Sequence, residues 1–351
     1  MPFALRTLLK QFMFDQIEDL TRDLREPINR ADLLVSHPAH IAALNVAEHS
    51  GTPAAVATVF PAMLPSAHRV PGGTPVGPWT GPIGRSLNRL LWSTSAIASA
   101  AMFDKPINAH RRSLGLEPVR NAIIRLQLRT RGVIVLADPA VIDPPPDWPD
   151  HVHVASFVDW DQIQAPGVTS DVEEFLREGE RPVLVTLGTS TSTVAGDFFH
   201  RATESLLERG VRVLSVPGPA PPVPDMAPGQ SLSIDYLPYS NVLAHCQAVV
   251  HHAGIGTTLA VLRSGVPQLA LPMSHDQPDT ARMIERLGVG LHVPWKRRNR
   301  RFGRAADRLL NDEHLAANAA AVGARLSGRD GAGLAADRIT QLLGELSPSP
   351  A

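Results

Sequence analysis

The residues with the clearest chemical potential form the octet HHAGIGTT at 251–258. It follows an apolar run and leads into a segment with helical character. The first N–H groups of a helix lack internal acceptors, and the helix dipole makes that end electropositive, so a phosphate group fits there. We therefore predict a phosphate site in which glycines leave room and histidine and threonine side chains donate hydrogen bonds: His252, Gly254, Gly256, Thr257 and Thr258.

An ordinary strand-to-helix turn would explain the same octet, because glycine permits a bend and threonine caps a helix. The octet is not a P-loop, since it lacks Gly-Lys-Ser/Thr, and GIGTTL has no third glycine for the dinucleotide-binding spacing. The two histidines are not equivalent. We interpret His251 as the end of the strand and His252 as the residue that faces the phosphate.

A second polar pair, Asp276 and Gln277, follows the next apolar run, PQLALPM at 267–273. A carboxylate and an amide at a strand end can hold the vicinal hydroxyls of a sugar. Helix capping is the alternative, because Pro278 suits the first position of a helix. Both interpretations can hold together.

Two other strand ends supply groups for a nucleoside. TLGTS at 186–190 ends one apolar run, and DYLPYS at 235–240 ends another, where Tyr236 and Pro238 could flank a planar base. The predicted nucleoside-binding residues are Thr189, Tyr236, Leu237, Pro238 and Tyr239.

The elements that position these residues alternate between apolar runs and helical segments, which indicates an α/β chain with parallel sheets. Strands are predicted at 31–37, 53–60 and 132–138, and then at 182–188, 211–216, 231–238, 248–252, 267–273 and 290–294. Six strands alternating with helices predict a doubly wound domain with its ligand site at the carboxyl ends of the strands. The predicted ranges are a first domain at 1–150, a connector at 151–180, a second domain at 181–346 and a tail at 347–351.

Composition narrows the function classes. Thirty-three basic and 34 acidic residues give a formal charge of −1, which argues against a nucleic-acid-binding protein. One cysteine, Cys246, excludes an internal disulfide framework and favours a reducing, cytoplasmic setting. No metal site is predicted, because DWD at 159–161 and the pair His151 and His153 lack further ligands in register.

No apolar run is long enough to cross a membrane. An apolar stripe near the N-terminus does need a partner, which is either the protein's own core or, as the alternative, a peripheral membrane surface. Its members are Leu5, Leu8, Leu9, Phe12 and Ile17.

The segment from Leu237 to Gly290, LPYSNVLAHCQAVVHHAGIGTTLAVLRSGVPQLALPMSHDQPDTARMIERLGVG, resembles the donor-binding signature of the UDP-glycosyltransferase-like family. The wider resemblance runs from about residue 85 to 340 and is nearest to bacterial enzymes that glycosylate lipids, sterols or macrolides, including the rhamnolipid rhamnosyltransferase. It implies a GT-B fold of two Rossmann-like domains. It also implies inverting, metal-independent transfer of a hexose from a UDP- or dTDP-linked donor to a hydroxyl of a lipophilic small molecule, with no other cofactor.

The resemblance also implies residue roles. His252 matches the histidine on the donor diphosphate, and the Gly254–Thr258 loop matches the phosphate cradle. Asp276 and Gln277 match the pair that holds the donor sugar. Tyr236 stands where many members have a base-stacking tryptophan, and Tyr239 where many have a ribose-binding glutamine. Thr189 matches the loop after the first strand of the donor domain.

The catalytic base is the part of the pattern that the sequence does not match. Members usually open with a strand and a Gly-rich loop that carries a catalytic histidine or aspartate, and nothing before Ala31 has this form. We therefore expect an incomplete N-terminal domain. Transfer to a hydroxyl needs a proton acceptor, and the candidates are His37, with His40 beside it, and Asp276.

Two other functions stay open. One is a donor-binding pseudoenzyme, or a subunit that depends on a protein partner, without a base of its own. The other is a nucleotide-sugar epimerase, which shares the architecture.

Overall fold

A computed structural model describes residues 14–59, 61–74, 76–158, 167–224, 226–274 and 276–346, except for the side chains of 189 and 190. The stripe predicted near the N-terminus, apart from Ile17, lies outside the described residues, as do the 159–161 motif and the 347–351 tail. The chain divides into two compact units. The first comprises Met1–Pro139, Asp143–Phe157 and Asp330–Ala351, and the second comprises Ala140–Ile142 and Val158–Arg329.

Strands and helices alternate along most of the chain. The strands are β1 Leu34–Ser36, β2 Ala54–Thr58, β3 Gly132–Val135, β4 Val152–Val154, β5 Val183–Thr186, β6 Val213–Val216, β7 Ser231–Ser233, β8 Ala248–His251, β9 Gln268–Ala270 and β10 Gly290–His292. The helices are α1 Ile17–Asn29, α2 Ile41–Ser50, α3 Gly81–Ser113, α4 Ala122–Leu128, α5 Pro139–Ile142, α6 Ser170–Arg177, α7 Gly188–Ser192, α8 Phe198–Leu207, α9 Tyr239–Val242, α10 Ile255–Ser264, α11 Gln277–Arg286, α12 Arg298–Asn311, α13 Glu313–Leu326 and α14 Gly331–Leu346.

The first unit contains a parallel sheet in the order β1-β2-β3-β4. The predicted strands are present and are shorter than their predicted ranges. Helix α2 ends at Gly51, whose φ of 74° is a left-handed conformation that glycine adopts without strain.

A buried polar network joins three helices of the first unit. Arg111 on α3 is fully buried and pairs with Glu48 on α2 through two contacts of 2.7 Å between guanidinium nitrogens and carboxylate oxygens. This hydrogen bond holds the pKa of Glu48 below its ordinary value. Asn45 Nδ2 donates to His110 Nδ1 at 3.0 Å, so the neutral ring donates from Nε2 to Thr21 on α1 at 2.8 Å. Every ring nitrogen of His110 therefore has a partner.

The second unit contains a six-stranded parallel sheet in the order β10-β9-β8-β5-β6-β7. Both faces of the sheet are covered, because alternate residues of β5, β6 and β8 enter different apolar clusters. Val183 and Val185 pack with Phe198 of α8 and Phe302 of α12, while Leu184 packs on the other side with residues of α6 and α10. The predicted doubly wound α/β architecture is confirmed.

The boundaries of the units correct the predicted domain ranges at two places. Residues 152–154, assigned to a connector, form β4 and pair with β3 of the first sheet. Helix α14, assigned to the second domain, belongs to the first unit, where Ala335 and Ile339 pack with Ile134 of β3. Both ranges were misassigned because a short strand and a returning helix carry no signal of which sheet they join.

Cys246 is buried in the second unit, and burial raises the pKa of its thiol to about 12. Among the described helices, none combines the length and the apolar character that a membrane span requires.

We expect Arg111→Met to lower the free energy of unfolding by about 2–3 kcal/mol, because it removes the Glu48 pair and leaves buried acceptors without a donor. Urea unfolding measures the change. The matched control is Arg112→Met on the exposed side of the same helix, for which the change should stay within about 0.5 kcal/mol. Equal effects of the two variants would contradict the structural role of the network.

Candidate functional site

The order in which strands are added to the second sheet reverses between β5 and β8, although all the strands are parallel. The chain runs from β5 outward through β6 to β7, and then returns to β8 on the other side of β5 and continues to β9 and β10. The loops that leave β5 and β8 therefore separate at the carboxyl edge of the sheet, which is where open α/β sheets bind ligands. These are the two loops that contain Gly188 and the HHAGIGTT octet.

The imidazole of His252 connects these two loops. A Cβ atom placed on Gly188 would lie 2.7 Å from His252 Cε1, and one placed on Gly254 would lie 2.2 Å from His252 Nε2. Only glycine fits at either position while the ring stays in place. Gly188 also has a φ of +65°, a backbone conformation that side chains rarely adopt.

His252 combines burial with an unused hydrogen-bonding group. Its side chain is 8% exposed, and its Nδ1 is buried without a hydrogen-bond partner among the described residues. Burial lowers the pKa of the ring to about 4. The free site at neutral pH therefore holds a neutral imidazole, not the protonated form that would donate more strongly.

His251 has a structural role. It is fully buried, its Nδ1 accepts from the Ala253 N–H at 3.1 Å, and its Nε2 therefore donates to Gln268 Oε1 at 2.8 Å. Burial and the neighbouring His252 lower the pKa of His251 to about 3, although the Gln268 hydrogen bond opposes the shift. Ala253 itself has a φ of 65°, which costs an alanine roughly 1–2 kcal/mol. The His251 ring thus fixes the bend that presents His252.

The start of α10 provides the predicted helix N-terminus. Gly254 is its N-cap residue, and the helix runs for ten residues from Ile255. Gly256 is exposed, with open space where a Cβ would lie, and Thr257 is half-buried. Thr258 does not match its predicted role. Its side chain is fully buried and its hydroxyl donates to the Gly254 carbonyl at 2.9 Å, so this hydroxyl stabilises the turn.

Asp276 and Gln277 begin α11. Asp276 occupies the N-cap position and the helix has proline in its first turn, as the capping interpretation predicted, but the Asp276 side chain makes no capping hydrogen bond. Gln277 is 5% exposed, and its Oε1 accepts from the N–H groups of Met273 at 2.8 Å and Ser274 at 3.1 Å. The amide oxygen therefore holds the loop after β9, and the amide nitrogen is the group left to contact a ligand.

The predicted nucleoside-binding residues differ in how far their side chains are exposed. Tyr236 is 60% exposed and can stack on a base, whereas Leu237 lies in the apolar core at 4% exposure. The Leu237 side chain therefore cannot flank a nucleoside. Pro238 is the buried N-cap residue of α9, and the Tyr239 hydroxyl lies 3.1 Å from Thr186 Oγ1. The side chain of Thr189 lies outside the described residues, although its backbone forms part of α7.

The predicted bases of the first unit lie just after β1. His37 and His40 are both exposed, with ring centroids 6.1 Å apart. Partial burial, followed by the proximity of His40, lowers the pKa of His37. However, His37 Nδ1 accepts from the Ala39 N–H at 3.2 Å, so the neutral ring carries its proton on Nε2. In this conformation His37 offers a donor, not the free lone pair that a general base requires.

Sequence reasoning missed two residues that support the site. Gln268 positions His251, and Thr186 contacts the Tyr239 hydroxyl. A signal for Gln268 was present, because it is the polar residue in an apolar strand. In the described part of the chain, no three His, Cys, Asp or Glu residues cluster closely enough to hold a metal ion.

We expect Gly254→Ala to destabilise the protein by about 1–3 kcal/mol and to displace the His252 ring, because the added methyl group overlaps Nε2. Gly256→Ala is the matched control, since its methyl group meets open space and should change stability by less than about 0.5 kcal/mol. Thermal unfolding separates the two variants, and a stable Gly254→Ala protein with unchanged histidine NMR shifts would contradict the contact.

Stability should also depend on pH through His251 and His252. Their folded-state pKa values of about 3 and about 4 lie below the ordinary value of 6.5, so the unfolded chain binds more protons between these values. The stabilisation is therefore complete above pH 6.5 and is lost as the pH falls toward the folded-state values. From pH 7 to 5, the free energy of unfolding should drop by about 2 kcal/mol per histidine.

Urea unfolding at the two pH values measures this dependence. His251→Asn keeps an oxygen acceptor for the Ala253 N–H and should lose one histidine's share, whereas exposed His245→Asn should keep the full dependence. The assignment fails if His251→Asn retains the whole pH effect.

Comparison with known proteins gives these features a context. Residues 213–330 match a family model described as the erythromycin biosynthesis protein CIII-like, C-terminal domain. This range includes the octet, Asp276 and Gln277.

Several named enzymes are similar in sequence. An O-mycaminosyltylonolide 6-deoxyallosyltransferase of Streptomyces fradiae is 34% identical over 237 residues, which cover 64% of this chain and 53% of that protein. Glycosyltransferase GtfC of Amycolatopsis orientalis is 28% identical over 72% of this chain and 59% of its own. A sterol 3-beta-glucosyltransferase of Aspergillus fumigatus is 26% identical over 92% of this chain and 23% of its own. The chain thus spans little more than half the length of the first two relatives.

Solved structures agree on the fold. The spinosyn forosaminyltransferase SpnP has a TM-score of 0.68 at 18% identity, covering 97% of this chain and 84% of its own. The glycosyltransferase VinC, solved in complex with DTDP, has a TM-score of 0.67 at 17% identity, covering 98% and 79%. These structural similarities show the GT-B fold, and the family model and the sequence relatives support a protein of the UDP-glycosyltransferase-like kind.

Proposed function

We propose that this protein is a glycosyltransferase that moves a hexose from a UDP- or dTDP-linked donor to a hydroxyl of a lipophilic small molecule. The observation that carries the proposal is the His252 ring, packed against Gly254 at the N-terminus of α10 with its buried Nδ1 unused among the described residues. A helix N-terminus and an imidazole donor together suit a diphosphate group.

The donor would extend from this point along the edge of the sheet. Its sugar would lie near Asp276 and the Gln277 amide nitrogen, which follow β9, the strand beside β8. Its base would stack on the exposed Tyr236 ring. The Tyr239 hydroxyl already pairs with Thr186 Oγ1. Tyr239 would therefore help donor binding by positioning its loop, and not through its hydroxyl.

The proposed reaction is a single displacement at the anomeric carbon, so that the product has the inverted configuration. The acceptor oxygen attacks, the bond to the diphosphate breaks, and negative charge develops on the departing nucleotide. The N–H groups of α10 and the His252 donor would stabilise that charge. The positive field that a bound metal ion would provide then comes from the protein itself, and we propose metal-independent transfer with no further cofactor.

The proposed acceptor class rests on the named relatives. The alignment with a sterol 3-beta-glucosyltransferase covers 92% of this chain, and another relative is named for glycosylating a tylonolide. Both names describe apolar ring systems that carry hydroxyl groups. A lipophilic hydroxyl acceptor is therefore the class to test first.

The proton acceptor separates the proposal from its main alternative. Asp276 is the candidate base, because it lies at the start of α11 beside the proposed sugar position. The engaged Nδ1 of His37 favours a second candidate function, a protein that binds the donor without transferring the sugar unless a partner supplies the base. Under that alternative, nucleotide binding persists and transfer to every acceptor is absent.

A direct test incubates the purified chain with UDP- and dTDP-hexoses and a panel of sterols and macrolide aglycones, and detects glycosides by mass spectrometry. NMR of the product gives the anomeric configuration, and transfer should continue in EDTA. Retention of configuration would contradict the single displacement. Tight UDP or dTDP binding without any product would support the second candidate function.

We expect His252→Ala to weaken UDP or dTDP binding at least about tenfold, because a hydrogen bond to a charged phosphate is lost. Calorimetry measures the affinity. His245→Ala changes an exposed histidine of the same unit and should leave it unchanged. Asp276→Asn should abolish transfer while nucleotide affinity stays within about twofold, as expected for a lost base. A His252→Ala protein with wild-type affinity would refute the donor site.

A further inference from the structure

Helix α3 carries an apolar stripe on its exposed side that no described residue covers. Ile83, Leu87, Leu90 and Ile97 follow one another at helical spacing and are 80%, 41%, 59% and 64% exposed. Thr94 and Ala101 continue the same line and are also exposed. From Ile83 to Ala101 the stripe is about 27 Å long, at 1.5 Å per residue. A continuous apolar face of this length indicates a binding surface.

A tryptophan is fixed at the beginning of the stripe. Trp79 is 40% exposed, although its backbone is tightly held. The buried Asn88 accepts from the Trp79 N–H at 3.2 Å and donates to the Trp79 carbonyl at 2.9 Å. A Cβ on Gly84 would lie 2.7 Å from the Trp79 carbonyl carbon, so the loop packs directly on the helix. The fold thus keeps a partly exposed tryptophan against the first turns of the helix.

The exposed charged side chains along the stripe itself have one sign. Between Glu48 and Asp104 the sequence contains no aspartate or glutamate. Both carboxylate oxygens of Asp104 accept backbone N–H groups, of Asn121 at 2.8 Å and of Ala122 at 2.9 Å, so this charge is engaged at the start of α4. The exposed charged side chains of α3 are basic: Arg89, Lys105 and Arg112.

We propose that this face of α3 binds the surface of an anionic phospholipid membrane. Apolar side chains would enter the boundary between headgroups and acyl chains, Trp79 would lie at the level of the headgroups, and the basic side chains would contact lipid phosphates. A second copy of the chain fits less well, because a self-complementary contact brings the same cations together without acidic partners. A small acceptor molecule would leave much of a 27 Å stripe in water.

The test is sedimentation of the full chain with vesicles of phosphatidylcholine alone or of phosphatidylcholine and phosphatidylglycerol in equal parts. The protein should bind the anionic vesicles and be released by salt. The variant Ile83→Ser/Leu87→Ser/Leu90→Ser should lower the partition coefficient at least about tenfold, because it removes apolar area from the contact. The matched control, Val194→Ser/Leu334→Ser, changes apolar residues that are 67% and 47% exposed elsewhere and should bind as the wild type does.

Further variants and measurements distinguish membrane binding from a loss of folding, from dimerisation and from acceptor binding. Arg89→Gln/Lys105→Gln should weaken binding to anionic vesicles without changing the melting temperature, so a loss of folding cannot explain its effect. Trp79→Phe should reduce the blue shift of tryptophan fluorescence on vesicle binding. Unchanged vesicle binding of the triple serine variant would overturn the proposal. So would a dimer that this variant dissociates, or an acceptor KM that it raises in the absence of lipid.

Discussion

The close packing of the His252 imidazole against two glycines is the constraint on which the loop between β8 and α10 depends. Gly188 and Gly254 come from loops that leave different strands, and the reversal of strand order brings these loops together. His251 fixes the bend through hydrogen bonds of its two ring nitrogens with the Ala253 N–H and the Gln268 side chain. The orientation of His252 is therefore set by covalent neighbours, backbone and packing before any ligand arrives, as preorganised sites require.

Hydrogen-bond satisfaction separates the histidines more clearly than their position in the sequence does. His110 and His251 have partners on both ring nitrogens, and each holds helices or loops together. Within the described residues, the buried Nδ1 of His252 has no such partner. Burying a polar atom without a hydrogen bond costs free energy, and in the proposed function a phosphate group would supply the partner that this nitrogen lacks.

The sequence predicts the architecture well because alternation of apolar runs and helices is a local signal. It also indicates the strand-to-helix turn at the octet, which the structure contains between β8 and α10. The side chains of Leu237 and Thr258 are buried, which residue types alone do not predict, because the side of a short turn that faces solvent depends on the phase of the following helix. The hydrogen bond from Ala39 to His37 depends on loop geometry, which residue types do not determine. The assignment of α14 to the first unit depends on its contact with β3, a strand about two hundred positions earlier in the sequence.

Helix α14 makes the first unit discontinuous in sequence. The first unit is made of segments from both ends of the chain, and Ala335, Ile339 and Leu342 of its last helix pack on β3. A natural exchange of the second unit between relatives would therefore need two crossovers, one on each side of 158–329, to keep this helix with its own sheet. A single crossover would bring in a foreign α14, and the exchange would succeed only where its apolar face suits the resident strand.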